Sequence, residues 1–500
     1  MPDWGDLQED QLRFMARTWP TEVAYRNLDD DTALTFTQWE QESNRLARGL
    51  VAAGISPGDR VAIFLPGHEV LRWIISYAAI HKAGAVVVPT NTRLSAPELT
   101  TIWTHAEISA VITSSVMPDS SVNVSDIKDL IPSLVHVFTD HEAACHSDSS
   151  EFQVQIALDD LADILYTSGT TGLPKGIAVR HDNVAMIPNN EPVWTGDGWI
   201  HGAPMFTFAG LAFIYNPMKM GLTALYHPTF TANRWLKIVE EERPTRAMLV
   251  PAYAELIVAD PEFNNADLSS LDHVSIGSAP IAPTTHRLLI ERMPTANVGN
   301  SFGMSEAGPA YIVMPPEEIA RRIGSVGKPI GPMEIRIVDE AGNEVAAEVI
   351  GELFMRMPGK QREYYKDSSA TKQSWTSDGW LMTGDLAYLD SDGYLYICGR
   401  KKDVIIRGGN NIYSTDVESV LLEHPSVQEA AVSGIPHHVL GEDVGAWIVL
   451  RSRTQLSAEE LTEFCGERLA DYKCPRQINF VDSLPRNATG KVLKHKLIPN

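Results

Sequence analysis

Five hundred residues exceed what one hydrophobic core supports, so more than one domain is expected. A composition of 44% apolar and 21% charged residues is that of a soluble globular chain. A net charge of −23 argues against nucleic acid and anionic lipid as general partners, so an anionic ligand has to be met by locally placed Lys, Arg and backbone N–H groups.

Four scattered cysteines (Cys145, Cys398, Cys465 and Cys474) without a Cys-x-x-Cys pair point to neither a disulfide framework nor structural zinc. The acidic start, Met1-Pro2-Asp3-Trp4, lacks the regions of a signal peptide, and the C-terminus carries no Ser-Lys-Leu address. The most apolar window, Val70 to Pro89, contains Arg72, His81 and Lys82, which suits a core helix and a buried strand rather than a membrane span. A cytoplasmic protein with no integral membrane association is expected.

Taken in chain order, Thr37-x-x-Glu40 has the capping-box form that opens a helix, and this one is expected to run to about Ala53 and stop at Gly54. The continuous apolar run Val61 to Leu65 reads as a strand buried on both faces. A helix from about Val70 to Ala83 and strands at Ala85 to Val88 and Ala110 to Ile112 follow. This βαβ rhythm implies parallel sheet. Asp140 to Glu151 reads as a polar surface loop, and Ala162 to Tyr166 as a strand. Beyond about Pro329 the expected strands shorten: Glu334 to Val338, Gly351 to Arg356, and Tyr394 to Cys398. In the last hundred residues, Thr415-x-x-Glu418 and Ser457-x-x-Glu460 predict two capped helices, with strands at Ala430 to Val432 and Ala446 to Leu450. The charged run Gly399 to Asp403 is the candidate boundary.

The string after Ala162 to Tyr166 carries the strongest chemical signal. Tyr166-Thr167-Ser168-Gly169-Thr170-Thr171-Gly172-Leu173-Pro174-Lys175-Gly176 joins hydroxyl donors, glycines and a lysine. Glycines let the backbone approach an anion, hydroxyls add donors and the lysine adds a mobile positive charge. The spacing is not the Walker pattern. The string resembles the signature loop of the adenylate-forming superfamily, which contains acyl- and aryl-CoA synthetases, firefly luciferase and the adenylation domains of peptide synthetases.

Further motifs recur in that superfamily's order. Phe302-Gly303-Met304-Ser305-Glu306 resembles its aromatic-Gly-x-Thr-Glu motif, which implies adenine stacking for Phe302, a phosphate contact for Ser305 and a magnesium-holding carboxylate for Glu306. Ser301 and Gly303 belong to the same nucleotide-binding stretch. Gly277-Ser278-Ala279-Pro280 resembles the segment beside the adenine and acyl pockets. Gly379 to Asp385 resembles the motif whose aspartate accepts both ribose hydroxyls. In Gly399-Arg400-Lys401-Lys402-Asp403, Arg400 matches the ribose-reaching arginine and Lys402 the pivot, while Gly408 and Gly409 would let a pantetheine arm pass. Ser414 stands where the family often has Pro. Leu484 to Lys491 resembles the closing motif, in which Lys491 would bridge the substrate carboxylate and the α-phosphate. Pro204 to Gly210 departs from many CoA synthetases by having Thr207 in place of His. Phe206, Thr207, Gly277 and Met304 are the expected acyl-pocket residues.

The resemblance implies an α/β fold. A large N-terminal adenylation domain (residues 1–398), with parallel sheets wrapped by helices plus a small β-structure, would be joined by a hinge (399–402) to a small mobile α+β domain (403–500). It implies an AMP-forming carboxylate–CoA ligase that uses ATP, Mg2+ and CoA, with Lys491, Thr167 and Glu306 as catalytic residues and Thr167 and Glu306 at the metal. Thr167, Ser168, Gly169, Thr170, Thr171, Gly172 and Lys175 would bind the nucleotide phosphates. The expected acid is hydrophobic, because Ala203 to Phe213 and Gly277 to Ala279 offer no charged partner for a second anionic group. The chain ends nine residues after Lys491 with no appended carrier domain, which favours CoA as acceptor over a separate carrier protein. A non-catalytic AMP- or acyl-CoA-binding sensor is the reading from another class, and the filled positions Glu306, Asp385, Arg400 and Lys491 speak against it. The partners expected are the small-molecule acid, ATP and CoA, without nucleic acid; a homodimer remains open.

Overall fold

The computed structural model describes residues 5–167, 175–185, 187–279, 281–308, 311–357, 359–451, 454–486 and 491–498. The first of its four sheets has seven strands in the order Glu363–Tyr364, Lys175–Arg180, Leu161–Thr167, Val86–Pro89, Arg60–Phe64, Ile108–Thr113 and His136–Phe138. Its last five strands are parallel, as the βαβ rhythm demands. Leu161–Thr167 and Lys175–Arg180 form an antiparallel hairpin, with Thr167 opposite Lys175. Ser168 to Pro174 connect these strands and lie outside the described residues.

The second sheet runs Asn297–Asn300, His273–Ile276, Arg246–Leu249, Gly198–His201, Thr223–Tyr226, Val23–Asn27 and Thr32–Thr35, parallel except for its last pair. A core lies between the two sheets. Val61 and Ile63 of the first face Tyr25, Ala224 and Tyr226 of the second, with helices Phe36–Ala52, Val70–Lys82 and Phe208–Lys219 packed in. Alternate residues Ala62 and Phe64 point the other way, under helix Ala96–Ala106. A strand buried on both faces therefore reads as an unbroken apolar run.

The third sheet is antiparallel: Ile312–Val313, Ser325–Pro329, Leu395–Arg400, Leu381–Leu389, Gly351–Arg356 and Glu334–Val338. The fourth combines Asn410–Ile412, Ile405–Arg407, Gly441–Leu450 and Val427–His437, with Gln477–Phe480 parallel to Gly441–Leu450. It packs its own core with helices Ser414–Leu422 and Ala458–Gly466. The architecture is a large N-terminal α/β body and a small C-terminal α+β unit. Among the described residues no helix is long and apolar enough to cross a membrane.

Several local expectations are corrected. The helix at Phe36–Ala52 is capped by Thr35 and Gln38, not by Thr37 and Glu40. Glu40 is drawn inside, where Lys82 Nζ lies 2.7 Å from its carboxylate and also donates to Ser43 and Asn44. A buried lysine needs that full set of partners, and this requirement overrides capping. Thr415 does not cap helix Ser414–Leu422, whose N-cap residue is Tyr413; the Thr415 hydroxyl donates to the Cys398 carbonyl. Glu418 accepts from the Val432 N–H instead. The Ser457/Glu460 capping box forms as expected. The strand expected to end at Cys398 continues to Arg400, and a one-turn helix, His141–Ala144, interrupts the loop after Asp140.

Candidate functional site

The C-terminal ends of parallel strands in the second sheet supply one wall of the site. Gly277 follows His273–Ile276 and Ser301 follows Asn297–Asn300, with Ile276 and Asn300 in register. A Cβ on Gly277 would lie 2.4 Å from Ser301 Oγ and 3.1 Å from the Ser301 carbonyl oxygen, so a side chain here would displace the Ser301 hydroxyl and press on its backbone. Ser301 Oγ accepts from the Ser275 hydroxyl at 3.1 Å and donates to the Ile276 carbonyl at 3.2 Å, and Ser278 adopts a positive φ of 75°. In α/β sheets this end of the strands is where ligands bind. Ala279 is half-buried; Pro280 lies outside the described residues.

The segment after Ser301 turns toward the third sheet. Phe302 and Met304 are half-buried against that sheet's core, Gly303 is open to solvent, and a Met304–Gly308 bridge closes a turn carrying Ser305 and Glu306. The Tyr364 hydroxyl donates to Glu306 Oε1 at 3.3 Å.

Asp385 and Arg400 meet on neighbouring strands of the third sheet, opposite each other in register, with Arg400 Nε 2.7 Å from Asp385 Oδ1. The Asp385 N–H donates to Thr383 Oγ1 at 3.0 Å. Asp385 is 5% exposed, and among the described residues its buried Oδ2 has no hydrogen-bond partner. A buried carboxylate oxygen left unsatisfied is costly, so this atom fits an acceptor awaiting a ligand's hydroxyl. Burial pushes the Asp385 pKa up to about 6, repulsion from Glu306 and Asp403 adds to this, and Arg400 and Lys491 hold it down.

Lys491 belongs to the C-terminal unit, yet it lies within electrostatic reach of Asp385, Glu306 and Arg400. The residue is solvent-accessible overall, while enough protein surrounds its ammonium to lower its pKa. Desolvation is the first cause and Arg400 the second, with the two carboxylates pulling the other way. The small unit is thus docked so that Lys491 lies close to Asp385, Glu306 and Arg400.

Lys175 begins the second strand of the hairpin and Thr167 ends the first. Both are half-buried, and the Lys175 ammonium lies 5.1 Å from the Tyr364 ring centroid. The expected phosphate-loop residues Ser168, Gly169, Thr170, Thr171 and Gly172 lie outside the described residues, as do Asn487 to Gly490 before Lys491.

Lys402 is exposed in the 3-10 turn Lys401–Asp403, which links the third sheet to the fourth. Gly408 and Gly409, with φ of 54° and 86°, form the turn between Ile405–Arg407 and Asn410–Ile412. The Gly408 N–H donates to the Leu440 carbonyl, so this turn is held within the fourth sheet. Thr207 is the N-cap of helix Phe208–Lys219: its Oγ1 accepts from the Gly210 N–H at 3.0 Å and donates to the Pro204 carbonyl at 2.7 Å. Phe206 is half-buried beside it.

Two residues at the site escaped the sequence reading. Arg362 is 4% exposed and donates to the Ser305 carbonyl at 2.8 Å and the Asn183 carbonyl at 2.5 Å. Tyr364 touches Glu306 and underlies Lys175. The aromatic pair Tyr364-Tyr365 beside a cation was the available signal.

Residues 12–365 match the AMP-binding enzyme family and residues 416–491 match the AMP-binding enzyme C-terminal domain. This chain belongs to the AMP-binding enzyme family. The chain is 32% identical over 508 residues to 2-succinylbenzoate–CoA ligase of Bacillus licheniformis, with 99% of each chain covered. To feruloyl-CoA synthase of Amycolatopsis sp it is 34% identical over 484 residues, with 96% of each covered. Its fold superposes on the anthranilate CoA ligase AuaEII in complex with anthranoyl-AMP with a TM-score of 0.89 at 27% identity, covering 98% of this chain and 96% of that one. The class of activity is that of an AMP-forming acid–CoA ligase.

Proposed function

We propose that the chain activates a hydrophobic, ring-bearing or fatty carboxylic acid as an acyl-adenylate and transfers the acyl group to CoA. The observation that carries this reading is the convergence of Asp385, Arg400, Glu306 and Lys491 around a buried acceptor, Asp385 Oδ2, that has no hydrogen-bond partner among the described residues.

Asp385 would accept the ribose hydroxyls, since Arg400 occupies Oδ1 and leaves Oδ2 for a ligand. Gly277 to Ala279 and Ser301 to Ser305 would flank the base and the acid, with the Phe302 face against adenine. Thr167, Lys175 and the residues between them would hold the phosphates. Glu306 and Thr167 present oxygen donors, the set a hard divalent cation takes, and they are the residues that would hold Mg2+. When bound, the cation neutralises triphosphate charge.

In the first half-reaction a carboxylate oxygen attacks the α-phosphorus, the P–O bond to pyrophosphate breaks, and acyl-AMP forms. Lys491 would lie between carboxylate and α-phosphate, where one cation offsets the repulsion of two approaching anions. In the second, the thiolate of CoA attacks the acyl carbonyl and AMP leaves. The exposed Lys401–Asp403 turn is the pivot about which the 403–500 unit would move, withdrawing Lys491 and presenting Gly408 and Gly409 to the pantetheine arm. The lean toward a hydrophobic acid rests on Ala203 to Phe213. Ring-bearing acids are also the substrates named for the feruloyl, 2-succinylbenzoate and anthranilate enzymes, and a long-chain fatty acid for a Mycobacterium tuberculosis relative.

The test is acid-dependent pyrophosphate release from MgATP across a panel of aromatic, alkyl and dicarboxylic acids, with and without CoA. AMP and acyl-CoA formed with CoA present establish the reading. Pyrophosphate release that leaves CoA unacylated redirects the acceptor to a carrier protein, and no turnover with any acid overturns the proposal.

A further inference from the structure

The short strand Glu363–Tyr364 joins the edge of the first sheet, with Tyr364 opposite Ile177 and Glu363 opposite Ala178. This pairing brings a distant segment against the strand that leaves the phosphate loop. The Tyr365 N–H donates to the Gly176 carbonyl at 2.7 Å, which locks the register next to Lys175.

Arg362 passes beneath the turn that carries Glu306. Its guanidinium is shared between two backbone carbonyls, Ser305 on the Glu306 side and Asn183 beyond the phosphate hairpin, and it lies 5.2 Å from the Phe208 ring centroid. Gly308, with φ of 80°, makes room for it: a Cβ there would lie 3.0 Å from the guanidinium carbon. Among the described residues Arg362 has no carboxylate at ion-pair distance. Asp163 and Glu306 act on it from further away, and burial lowers its pKa to about 10. A cation taken out of water and given two carbonyls rather than a carboxylate costs stability, and such a cost is commonly borne at a site where geometry matters. Tyr364, two residues on, reaches Glu306 with its hydroxyl and Lys175 with its ring face.

We propose that Arg362 and Tyr364 are positioning residues for the first half-reaction: Arg362 fixes the 304–308 turn to the short helix His181–Val184 that follows the phosphate hairpin, and Tyr364 holds the Glu306 carboxylate and the Lys175 ammonium in place before the metal–nucleotide arrives. This rests on the assignment of Glu306 and Lys175 to the nucleotide. Arginine spans the two carbonyls with separate Nη1 and Nη2 donors held in one plane, a fixed spacing that the single ammonium of lysine does not reproduce. The hydroxyl and the ring of Tyr364 have separate tasks, so they can be removed separately.

The decisive variant is Tyr364→Phe, which keeps the ring over Lys175 and the edge strand and loses the hydroxyl alone. The readout is binding of Mn2+ together with a non-hydrolysable ATP analogue, followed by electron paramagnetic resonance of the free ion. We expect Mn2+ affinity in that ternary complex to fall roughly 10–100-fold, the consequence of losing one hydrogen bond that orients a metal-holding carboxylate, with thermal stability and thioesterification of supplied acyl-adenylate unchanged. Mn2+ affinity equal to that of the unaltered protein would overturn the Tyr364 assignment. Arg362→Lys is expected to raise KM for MgATP and lower the adenylation rate together, while a correctly folded Arg362→Lys protein with both parameters unchanged would reduce Arg362 to a packing role. Should the unaltered enzyme activate no acid, the functional reading falls, and the Mn2+ comparison still decides this one.

Discussion

Arg400 and Asp385 face each other in register on antiparallel strands, with 2.7 Å between guanidinium Nε and carboxylate Oδ1. The arginine satisfies one oxygen, and among the described residues the other is buried and unpartnered, as the proposed ribose contact requires. Burial is the dominant influence on Asp385 and raises its pKa from 3.8 to about 6. Ionisation is therefore complete above pH 7 and lost as pH falls through 6, and a protonated carboxyl gives up the charge that strengthens a bond from a ribose hydroxyl. Adenosine, which has no phosphate to titrate, is expected to bind with constant affinity from pH 7 to 8 and roughly 10-fold more weakly at pH 5. Asp385→Asn is expected to bind weakly at every pH. Calorimetric titrations that found adenosine affinity flat from pH 5 to 8 in the unaltered protein would remove Asp385 from the ribose site.

Lys491 lies where the charges of Asp385, Glu306 and Arg400 all reach it. Replacing it with alanine is expected to slow acid-dependent pyrophosphate release by roughly 10²–10³-fold, the cost of one preorganised donor. Transfer from supplied acyl-adenylate to CoA should persist. Because its pKa lies below that of an ordinary lysine, adenylation by the unaltered enzyme should decline at a lower alkaline pH than a free lysine would dictate. Unimpaired adenylation in the alanine variant would refute the assignment.

Thr207, which the resemblance sets at a histidine position of the family, has its hydroxyl engaged at both ends, accepting from Gly210 N–H and donating to the Pro204 carbonyl. A capping role predicts that Thr207→Ala destabilises the protein by about 1 kcal/mol in chemical denaturation, while Thr207→Ser stays close to the parent. The order of preferred acids should survive in Thr207→Ser. A reordered acid panel with unchanged stability would instead make Thr207 a pocket residue.

Glu306, Asp385, Arg400 and Lys491 are expected at one site because each sits in a short string with distinctive neighbours, and the structure brings the four within electrostatic reach of one another. Arg362 and Tyr364 left only the Tyr364-Tyr365 pair beside a cation as a local signal, because they enter the site through the pairing of Tyr364 with Ile177, far earlier in the chain. Edge pairing of a two-residue strand leaves almost no periodic trace. The helix at Phe36–Ala52 shows a different limit. Thr35-x-x-Gln38 and Thr37-x-x-Glu40 are equivalent as capping strings, and what separates them is the buried ammonium of Lys82, which claims Glu40. The βαβ order and the small C-terminal unit were readable because apolar runs buried on both faces and amphipathic capped helices declare themselves locally. The same strings could not show that Glu418 would turn from Thr415 to the Val432 N–H and the Lys494 ammonium, since both partners come from other elements.

Glu255 lies on helix Pro251–Ala259 of the large body, close to Glu429, Arg486 and Arg451 of the small unit. Arg486 is already paired with Glu429 at 2.5 Å, so it gives Glu255 limited relief. Burial first, and then the charge of Glu429, raise the Glu255 pKa from 4.5 to about 7. A carboxyl raised in this way favours the docked arrangement when protonated; that contribution is full below pH 4.5 and is lost as pH rises through 7. Docking that brings Lys491 to the site should therefore loosen between pH 6 and 8, and Glu255→Gln should remove the dependence. Undocking frees the exposed Lys401–Asp403 turn, so tryptic cleavage after Lys401 or Lys402 reports it. The ratio of cleavage rates, unaltered protein to Glu255→Gln, cancels the protease's own pH response. We expect that ratio to rise several-fold from pH 6 to pH 8. A ratio constant across the range would mean that the Glu255 charge does not govern how the small unit docks.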